Sequence, residues 1–353
     1  MSTTTARRPR VVVLVENLPV PLDRRTWQEA RTLAAHGWDV TVIGPRGAGD
    51  MARWRDRIDG VEVVRYPQRA ASGLAGYLAE YLPSMAFTAA WLAWTRLRRG
   101  PIAVIHGCNP PDLFWMFGSL ARAGRGAYVF DQHDANPELS RTKFGERSFK
   151  GRLLHRFTLA MERASYGAAA LVIAPNDSYA AIATGRGRVP PERVVVVRNA
   201  PDAAAYRTLA AGISPDPRRI GYLGVMGSQD GIERLVTAWR LVVDQPDLAD
   251  ARLDLIGDGE ARPALERQAA ELGLGERVRF HGYLPPAAFV PILAACQATV
   301  SPDPPTPFND VSTMVKVVDS LAIGRPVIAC DLAESRRLIG DGGVIVPAPS
   351  SDA

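Results

Sequence analysis

Residues 11–45 read VVVLVENLPVPLDRRTWQEARTLAAHGWDVTVIGP. The stretch opens with the β-branched run Val11–Val15, which Glu16-Asn17 interrupts before it is long enough to be the apolar region of a signal peptide. A helical pattern follows over 25–36, and a second β-branched run covers 39–43. A strand, a helix and a strand in this order predict a β-α-β unit of a parallel sheet.

The same alternation continues along the chain. A looser stretch rich in Ala, Pro and Asp, residues 200–217, divides it, so we predict two domains, 1–205 and 206–353. The predicted fold class is α/β, with two Rossmann-like doubly wound parallel sheets whose ligands bind beyond the carboxyl ends of the strands. The apolar β-rich runs lie at 10–15, 39–43, 61–66, 102–106, 127–131, 170–174 and 193–197, and then at 219–225, 252–257, 277–281, 298–301, 326–329 and 343–346.

The composition is that of a globular protein, with 47% hydrophobic and 22% charged residues. The net charge of +5 comes almost entirely from arginine, because the lysines are Lys143, Lys150 and Lys316 alone. This charge favours phosphate-bearing ligands or anionic surfaces, whereas the scattered arginines argue against nucleic acid. The cysteines are far apart in sequence and predict reduced thiols without a metal site. The dinucleotide and Walker glycine motifs are absent, which argues against both functions.

The stretch 309–328, NDVSTMVKVVDSLAIGRPVI, contains a candidate ligand site. Ser312 is a good N-cap and Gly324 a good stop, so we predict a helix between them. Lys316 and Asp319 share its polar face. A helix N-terminus with a cation nearby suits a diphosphate, and the carboxylate suits sugar hydroxyls. The alternative is a solvated Lys316–Asp319 ion pair on an ordinary helix.

A long apolar segment covers 73–95, with Glu80 as its one charge and three arginines within the next four residues. Pro83 and Glu80 argue against a membrane span. Two alternatives remain for 73–99: a buried helix, or an interfacial helix whose basic flank contacts anionic lipid.

The loops after the predicted strands carry segments that resemble one known family. The chain resembles the retaining glycosyltransferases of family four, whose GT-B fold has two Rossmann-like domains facing a cleft. Within them it is similar to the bacterial polysaccharide branch that includes N-acetyl-fucosamine transferases of O-antigen and colanic-acid clusters. Besides 11–45, the resembling segments are IHGCNPPDLFW (105–115), VFDQHDANPE (129–138), IGYLGVMGSQDGIERL (220–235), DLIGDGE (254–260), RFHGYL (279–284) and PDPPTPFNDVSTMVKVVDSLAIGRPVIA (302–329).

The resemblance implies roles for individual residues. His133 would contact the donor sugar near the reacting carbon, Lys316 the diphosphate and Asp319 the ribose, and these are the predicted catalytic residues. For His133 the alternative is a turn histidine held by Asp131 or Asp134. The implied donor-binding residues are Arg24, Gly224, Gly227, Gly257, Tyr283, Asp310, Ser312, Thr313 and Met314. The implied acceptor-side residues are Glu16, Asn17, Asn109 and Asp112. Turn formation is the alternative for the glycines and for the loop of Asn109.

The chain departs from the family pattern in three places. Val225 and Asp230 stand where the family's phosphate loop has an arginine and a lysine, although the branch resembled here has this form. Val311 replaces the first glutamate of the Glu-x7-Glu motif, and the second is shortened to Asp319. The chain ends at Ala353 soon after its last predicted strand, so we expect a C-terminal domain that is short for the family.

The implied function is retaining, metal-independent transfer of a HexNAc-type sugar from a UDP-sugar, with no cofactor. The acceptor would be a saccharide or a polyprenyl-diphosphate-linked saccharide of cell-surface polysaccharide biosynthesis. The expected location is the cytoplasm, peripheral on the inner face of the membrane. The alternatives are a catalytically silent sugar-nucleotide-binding protein, a GT-B epimerase and, on fold alone, a dinucleotide oxidoreductase.

Overall fold

The computed structural model describes residues 8–67, 73–145, 148–227 and 229–347, with the side chains of 73–80 and 119 left out. The chain divides into two compact units, Met1–Val197 and Arg198–Ala353. The predicted boundary, after residue 205, falls inside a helix of the second unit, α7 (Ala203–Ala210). Asp202 caps this helix through its Oδ1, and Tyr206 is buried in the second unit's core. An Ala-rich sequence therefore forms an ordered helix where a linker was expected.

The first unit is one sheet with helices on both faces, and its strands are parallel except for the edge strand β3. Its strands are ordered β3-β4-β2-β1-β5-β6-β7-β8. The elements are β1 (Arg10–Leu14), α1 (Arg24–Ala35), β2 (Asp39–Pro45), β3 (Arg55–Ile58), β4 (Val61–Tyr66), α2 (Gly73–Arg99), β5 (Val104–Cys108), α3 (Trp115–Ala123), β6 (Ala127–Asp131), α4 (Asn136–Phe144), α5 (Phe149–Ala168), β7 (Leu171–Ala174), α6 (Asp177–Thr184) and β8 (Val194–Val196). The edge strand β3, which pairs antiparallel with β4, was not predicted because its sequence RDRI has no apolar run.

Alternating side chains of the strands face two different helical layers. Val12 and Leu14 lie in the core cluster that also buries residues of α2, α3 and α5. Val11 and Val13 lie in a second cluster, with Ala30 of α1. Both faces of the sheet are thus covered, which is why its strands read as continuous apolar runs. The strand order reverses between β1 and β5, so the loops after these strands are where a ligand site is expected.

The second unit repeats this architecture with the strand order β11-β10-β9-β12-β13-β14. The described pairings are parallel, and the order reverses between β9 and β12. Its elements after α7 are β9 (Asp216–Leu223), α8 (Ile232–Val243), β10 (Arg252–Ile256), α9 (Arg262–Glu271), β11 (Val278–Gly282), α10 (Pro286–Ala294), β12 (Cys296–Ser301), α11 (Pro307–Val311), α12 (Val315–Ile323), β13 (Val327–Cys330), α13 (Ala333–Ile339) and β14 (Gly343–Val346). The prediction of two Rossmann-like doubly wound parallel sheets is confirmed.

The prediction that a helix begins at Ser312 is wrong. The chain forms two helices here, α11 capped by Thr306 and α12 beginning at Val315. Ser312 ends α11, because its Oγ donates to the carbonyl oxygen of Phe308 at 2.7 Å. The predicted stop is confirmed, since Gly324 adopts a φ of +83° at the end of α12.

The apolar segment of 73–99 is a single helix, α2, with Pro83 inside it. In the part of the chain that the structure describes, neither α2 nor another helix has the length and apolar content that crossing a membrane requires.

Candidate functional site

Lys316 lies in a buried charge cluster at the switch point of the second unit. Its Nζ is 2.7 Å from Asp303 Oδ1 and 3.4 Å from Asp230 Oδ1, and it donates to Tyr222 Oη at 3.3 Å. Lys316 is the second residue of α12, while Asp230 and Asp303 follow β9 and β12. Burial lowers the pKa of Lys316, but the charge of Asp303 outweighs it, so the pKa is raised and the lysine stays charged.

The solvated Lys316–Asp319 pair considered as an alternative is wrong. The side chain of Lys316 is 10% exposed and pairs with Asp303 and Asp230. Asp319 is 1% exposed and accepts a hydrogen bond from Tyr206 Oη at 3.3 Å. The carboxylate predicted to hold the ribose is thus packed against α7, and its ligand role stays a prediction.

Two glycine-rich loops touch through their backbones beside Lys316. Gly257 has a φ of +132°, and a Cβ there would lie 1.8 Å from the carbonyl oxygen of Gly224. A Cβ on Gly224 would lie 3.1 Å from Cε of Lys316. These positions require glycine because the ends of β9 and β10 and the lysine stem share one small space.

The carboxylate of Asp230 faces two groups that also bind external anions, a backbone N–H and the ammonium of Lys316. Its Oδ2 accepts from the backbone N–H of Gly227 at 3.0 Å, and its Oδ1 faces Lys316. Burial raises the pKa of Asp230, and the Lys316 charge opposes this. A backbone N–H and an ammonium are the donors that a phosphate oxygen uses. The Asp230 carboxylate therefore occupies donors of the kind that bind a phosphate.

The other predicted donor residues of the second unit differ in burial and in their contacts. Asp310 Oδ1 accepts from the backbone N–H of Ala333 at 2.9 Å, at the first residue of α13. Met314 is buried in the core beside Thr313, which is half-buried. Tyr283 is 67% exposed at the end of β11. Of the predicted donor residues, the structure brings Gly224, Gly227 and Gly257 together with Lys316.

The first unit has its own buried charge cluster, centred on Asp131 at the end of β6. His133 Nε2 lies 2.9 Å and His106 Nε2 3.1 Å from Asp131 Oδ2. Arg25 of α1 donates to Asp131 Oδ1 at 2.8 Å and to the carbonyl oxygen of Val197 at 2.6 Å. Burial raises the pKa of Asp131, but the charge of His133 and the hydrogen bonds hold it well below its usual value.

Asp131 also sets the charge of His133, the predicted contact to the donor sugar. Burial lowers the pKa of His133, while the charge and hydrogen bond of Asp131 outweigh this and raise it. The considered alternative, a turn histidine held by Asp131, describes this contact correctly. His133 contacts Asp131 through Nε2, so a ligand of this histidine would meet its other ring nitrogen, Nδ1.

Glu29 adds a further carboxyl group to this cluster, with its Oε1 3.3 Å from Arg25 Nε. Burial, and next the Asp131 charge, raise its pKa to about 10. Among the described residues, two groups offer ligand atoms within 4.8 Å of one another: His106, Cys108 and Asp131, and Glu29, Asp131 and His133. Spacing in sequence could not reveal these groups because their members come from α1, β5 and β6. The guanidinium of Arg25 already bonds Asp131, which disfavours a second cation there.

The predicted acceptor residue Asn109 holds the loop after β6. Its Oδ1 accepts from the backbone N–H groups of His133 and Asp134, and its Nδ2 donates to Asp112 Oδ1 at 2.9 Å. Asp112 is buried, and burial raises its pKa to about 7 against the hydrogen bonds of Asn136 and Asn109. These contacts agree with the alternative of a shaped turn.

The other first-unit candidates lie around the start of α1. Glu16 is buried, whereas Asn17 and Arg24 are exposed. Asp23 caps α1 by accepting from the backbone N–H of Thr26 at 3.0 Å. Arg24 and Arg25 point in different directions because adjacent helical residues differ by about 100°. The sequence analysis chose Arg24 and missed Arg25, which reaches Asp131.

Comparisons with known proteins agree with this architecture. The family model described as "Glycosyl transferase 4-like domain" matches residues 22–200, and "Glycosyl transferases group 1" matches 217–353. Alpha-D-kanosaminyltransferase of Streptomyces kanamyceticus is 27% identical over 128 residues, which are 36% of this chain and 31% of that protein. An uncharacterized glycosyltransferase of Methanocaldococcus jannaschii is 25% identical over 128 residues, with the same shares. The match thus spans about a third of these curated relatives.

Solved structures show the same fold. Sucrose-phosphate synthase from Thermosynechococcus elongatus has a TM-score of 0.72 at 19% identity, covering 98% of this chain and 88% of that one. WaaG, a glycosyltransferase involved in lipopolysaccharide biosynthesis, has a TM-score of 0.67 at 20% identity, covering 96% and 86%. Identities this low establish similarity of fold alone. With the first family model matching half of the chain, the protein belongs to the glycosyltransferases of the 4-like family and has their GT-B fold.

Proposed function

We propose that this glycosyltransferase moves a HexNAc-type sugar from UDP to a saccharide or a polyprenyl-diphosphate-linked saccharide, with retention of configuration. The pathway would be cell-surface polysaccharide biosynthesis. The observation that carries the donor part is the cluster of Lys316 and the glycine loop at the switch point of the second unit. The kanosaminyltransferase is named for transfer of an amino sugar, and WaaG for lipopolysaccharide biosynthesis, which supports the sugar and the pathway.

The diphosphate would bind where Asp230 now sits. Lys316, with Asp230 and Asp303, gives this cluster one positive and two negative charges. An incoming diphosphate is favoured once it displaces the Asp230 carboxylate from Gly227 and Lys316, and the N-termini of α8 and α12 favour the anion further. Arg24 remains a proposed second cation for the donor.

The proposed reaction needs no protein nucleophile. The bond between the anomeric carbon and the diphosphate oxygen breaks, and a bond to the acceptor oxygen forms on the same face. The proton of the acceptor hydroxyl passes to the leaving diphosphate. The protein then contributes orientation and stabilisation of the leaving charge, through Lys316 and helix N-termini in place of a metal. His133, whose pKa Asp131 raises, would contact the donor sugar.

The exposed apolar residues of α2 support the proposal of a membrane-bound acceptor. Leu82, Trp94 and Leu97 are exposed at 67%, 39% and 84%, and Arg98 is exposed beside them. Trp91 instead stacks in an aromatic group and packs on the core. We therefore propose that the protein is peripheral on the inner face of the cell membrane, with the exposed stripe of α2 as a contact.

Calorimetric titration with UDP, GDP and NAD tests the donor proposal, and NMR of the anomeric proton in the product tests retention. UDP binding with transfer from a UDP-HexNAc, unaffected by EDTA, is the expected result. Binding of GDP alone would refute the choice of nucleotide, and an inverted product would refute retention.

A second candidate is a silent sugar-nucleotide-binding protein, favoured by Asp230 pairing with Lys316 and by the burial of Asp319. This candidate requires UDP binding with neither transfer nor hydrolysis of the donor. Turnover with any UDP-sugar excludes it.

A further inference from the structure

Helix α5 exposes its large apolar side chains to solvent. Phe149, Leu153 and Phe157 are exposed at 73%, 58% and 54%. Their spacing of four residues places them on one face of the helix. Exposed apolar residues that occur singly need no explanation, but three in a row on one helix form a surface.

The opposite face of α5, which packs against the unit, combines polar and small residues with the core aromatic Tyr166. Gly151, Glu162 and Ser165 are buried there. Glu162 bonds Arg186 at 2.8 Å, and Tyr166 Oη donates to Gln132 Oε1 at 2.7 Å. The helix therefore packs on its own unit through Tyr166, hydrogen bonds and an ion pair, all on the face opposite the apolar stripe. Its apolar stripe does not contribute to the folded core.

Basic residues border the stripe on both sides. On a helical projection Lys150 follows Phe157 on one side, while Arg156 and Arg163 lie on the other. These three residues are exposed, whereas the one acidic residue of α5, Glu162, is buried. The stripe with its border is thus apolar in the middle and positive at the edges.

We propose that the α5 stripe, defined as Phe149, Leu153 and Phe157 with Lys150, Arg156 and Arg163, docks on an anionic lipid bilayer. Apolar side chains of an interfacial helix enter the acyl boundary, and lysine and arginine beside them meet anionic headgroups. A protein partner would need acidic groups matched to each cation, whereas a bilayer supplies diffuse negative charge to the whole border.

The position of α5 supports a bilayer over a small ligand. Helices α2, α3 and α5 bury side chains in the same core cluster on one face of the sheet. The exposed stripes of α2 and α5 therefore belong to one helical layer of the first unit. A planar surface can contact two helices of one layer together. The inference extends the proposed membrane contact to a second helix and holds whichever donor the enzyme uses.

The test is co-sedimentation of the full chain with vesicles of phosphatidylglycerol and phosphatidylcholine, and with phosphatidylcholine alone, without nucleotide. The apolar variant is Phe149→Ser with Leu153→Ser and Phe157→Ser. The charge variant combines Lys150→Gln and Arg156→Gln. Leu241→Ser is the matched control, because Leu241 is 67% exposed on α8 of the second unit. Circular dichroism establishes that each variant is folded.

We expect binding to the anionic vesicles that weakens at least tenfold in the apolar variant and about fivefold per removed charge in the charge variant. The control should bind as the wild type does. Absence of wild-type binding overturns the proposal. The proposal is also overturned if the α5 variants bind the vesicles as the wild type does, while the α2 variant Leu82→Ser with Leu97→Ser does not bind. A wild-type dimer that the apolar variant makes monomeric, without vesicle binding, would assign the stripe to a second copy of the chain. UDP titration of the same samples shows separately whether the donor proposal fails.

Discussion

Replacing Lys316 by methionine removes the cation that pairs with Asp303 and Asp230. Asp303 is 1% exposed, and its Oδ1 lies 2.7 Å from the lysine. Removing one partner of a buried ion pair leaves the other charge uncompensated, at a cost of about 3–5 kcal/mol. For a unit of this size about 2–4 °C corresponds to 1 kcal/mol. We therefore expect the melting temperature of the second unit to fall by roughly 6–20 °C.

A loss of activity in Lys316→Met alone would thus mix unfolding with loss of function. The double variant Lys316→Met with Asp303→Asn separates the two, because the amide removes the more deeply buried of the two carboxylate charges that lose their partner. Ser301 Oγ donates to Asp303 Oδ2 and can donate equally to the amide oxygen. We expect the double variant to recover most of the stability that the single variant loses.

Binding of UDP should not recover in the double variant. A charge-assisted hydrogen bond to the diphosphate contributes about 1.5–3 kcal/mol, which is roughly 10- to 150-fold in the dissociation constant. Differential scanning calorimetry measures the first quantity and isothermal titration the second. A stable double variant that binds UDP as tightly as the wild type would refute the diphosphate role of Lys316. A single variant that melts within 1 °C of the wild type would refute the burial argument.

Three further changes test other parts of the two clusters. Asp230→Asn should tighten UDP binding about tenfold by titration calorimetry, since it removes a competing internal anion; weaker binding would contradict this. Asp131→Asn should lower the pKa of His133, because it removes the two largest effects that raise this pKa, the charge and hydrogen bond of Asp131, while burial still lowers it. In the wild type, the attraction between His133 and Asp131 is lost as the pH rises through the raised pKa of His133, and the stability it contributes is lost with it. The variant should not show this loss of stability. NMR titration of the ring protons measures the pKa, and unfolding from pH 6 to 9 measures the stability; an unchanged pKa would refute the pairing. Gly257→Ala should cost about 2–4 kcal/mol of unfolding free energy by denaturant, against about 1 kcal/mol for the control Gly273→Ala, which has positive φ but open space around it.

The sheets could be predicted because their strands are buried on both faces. Such strands appear in the sequence as short β-branched runs, and Val11–Val15 and 39–43 are examples. The loops that follow these runs were predicted to carry the site, and the switch points of both sheets place charged clusters there. The edge strand β3 lacks an apolar run and was missed for that reason.

The start of α12 could not be predicted from local residue types. Thr306 and Ser312 are both good caps, and the sequence offers no means of choosing between them. In the fold, Thr306 Oγ1 accepts from Asn309, and Asn309 Nδ2 donates to the carbonyl oxygen of Gln229 at 3.1 Å. This contact joins positions 80 residues apart and holds α11 in place. Ser312 then ends that helix, so long-range packing decided a local boundary.

The charge clusters were beyond sequence reasoning for the same physical reason. Arg25 and Asp131 are 106 residues apart, and their contact exists because α1 and the end of β6 meet at one edge of the sheet. Once they meet, the pKa of each group depends on all the others. Asp131 raises the pKa of His133, and together with burial it raises the pKa of Glu29. A residue's charge at this site is therefore a property of the folded cluster, so Asp131 must be varied together with His133 to learn what either does.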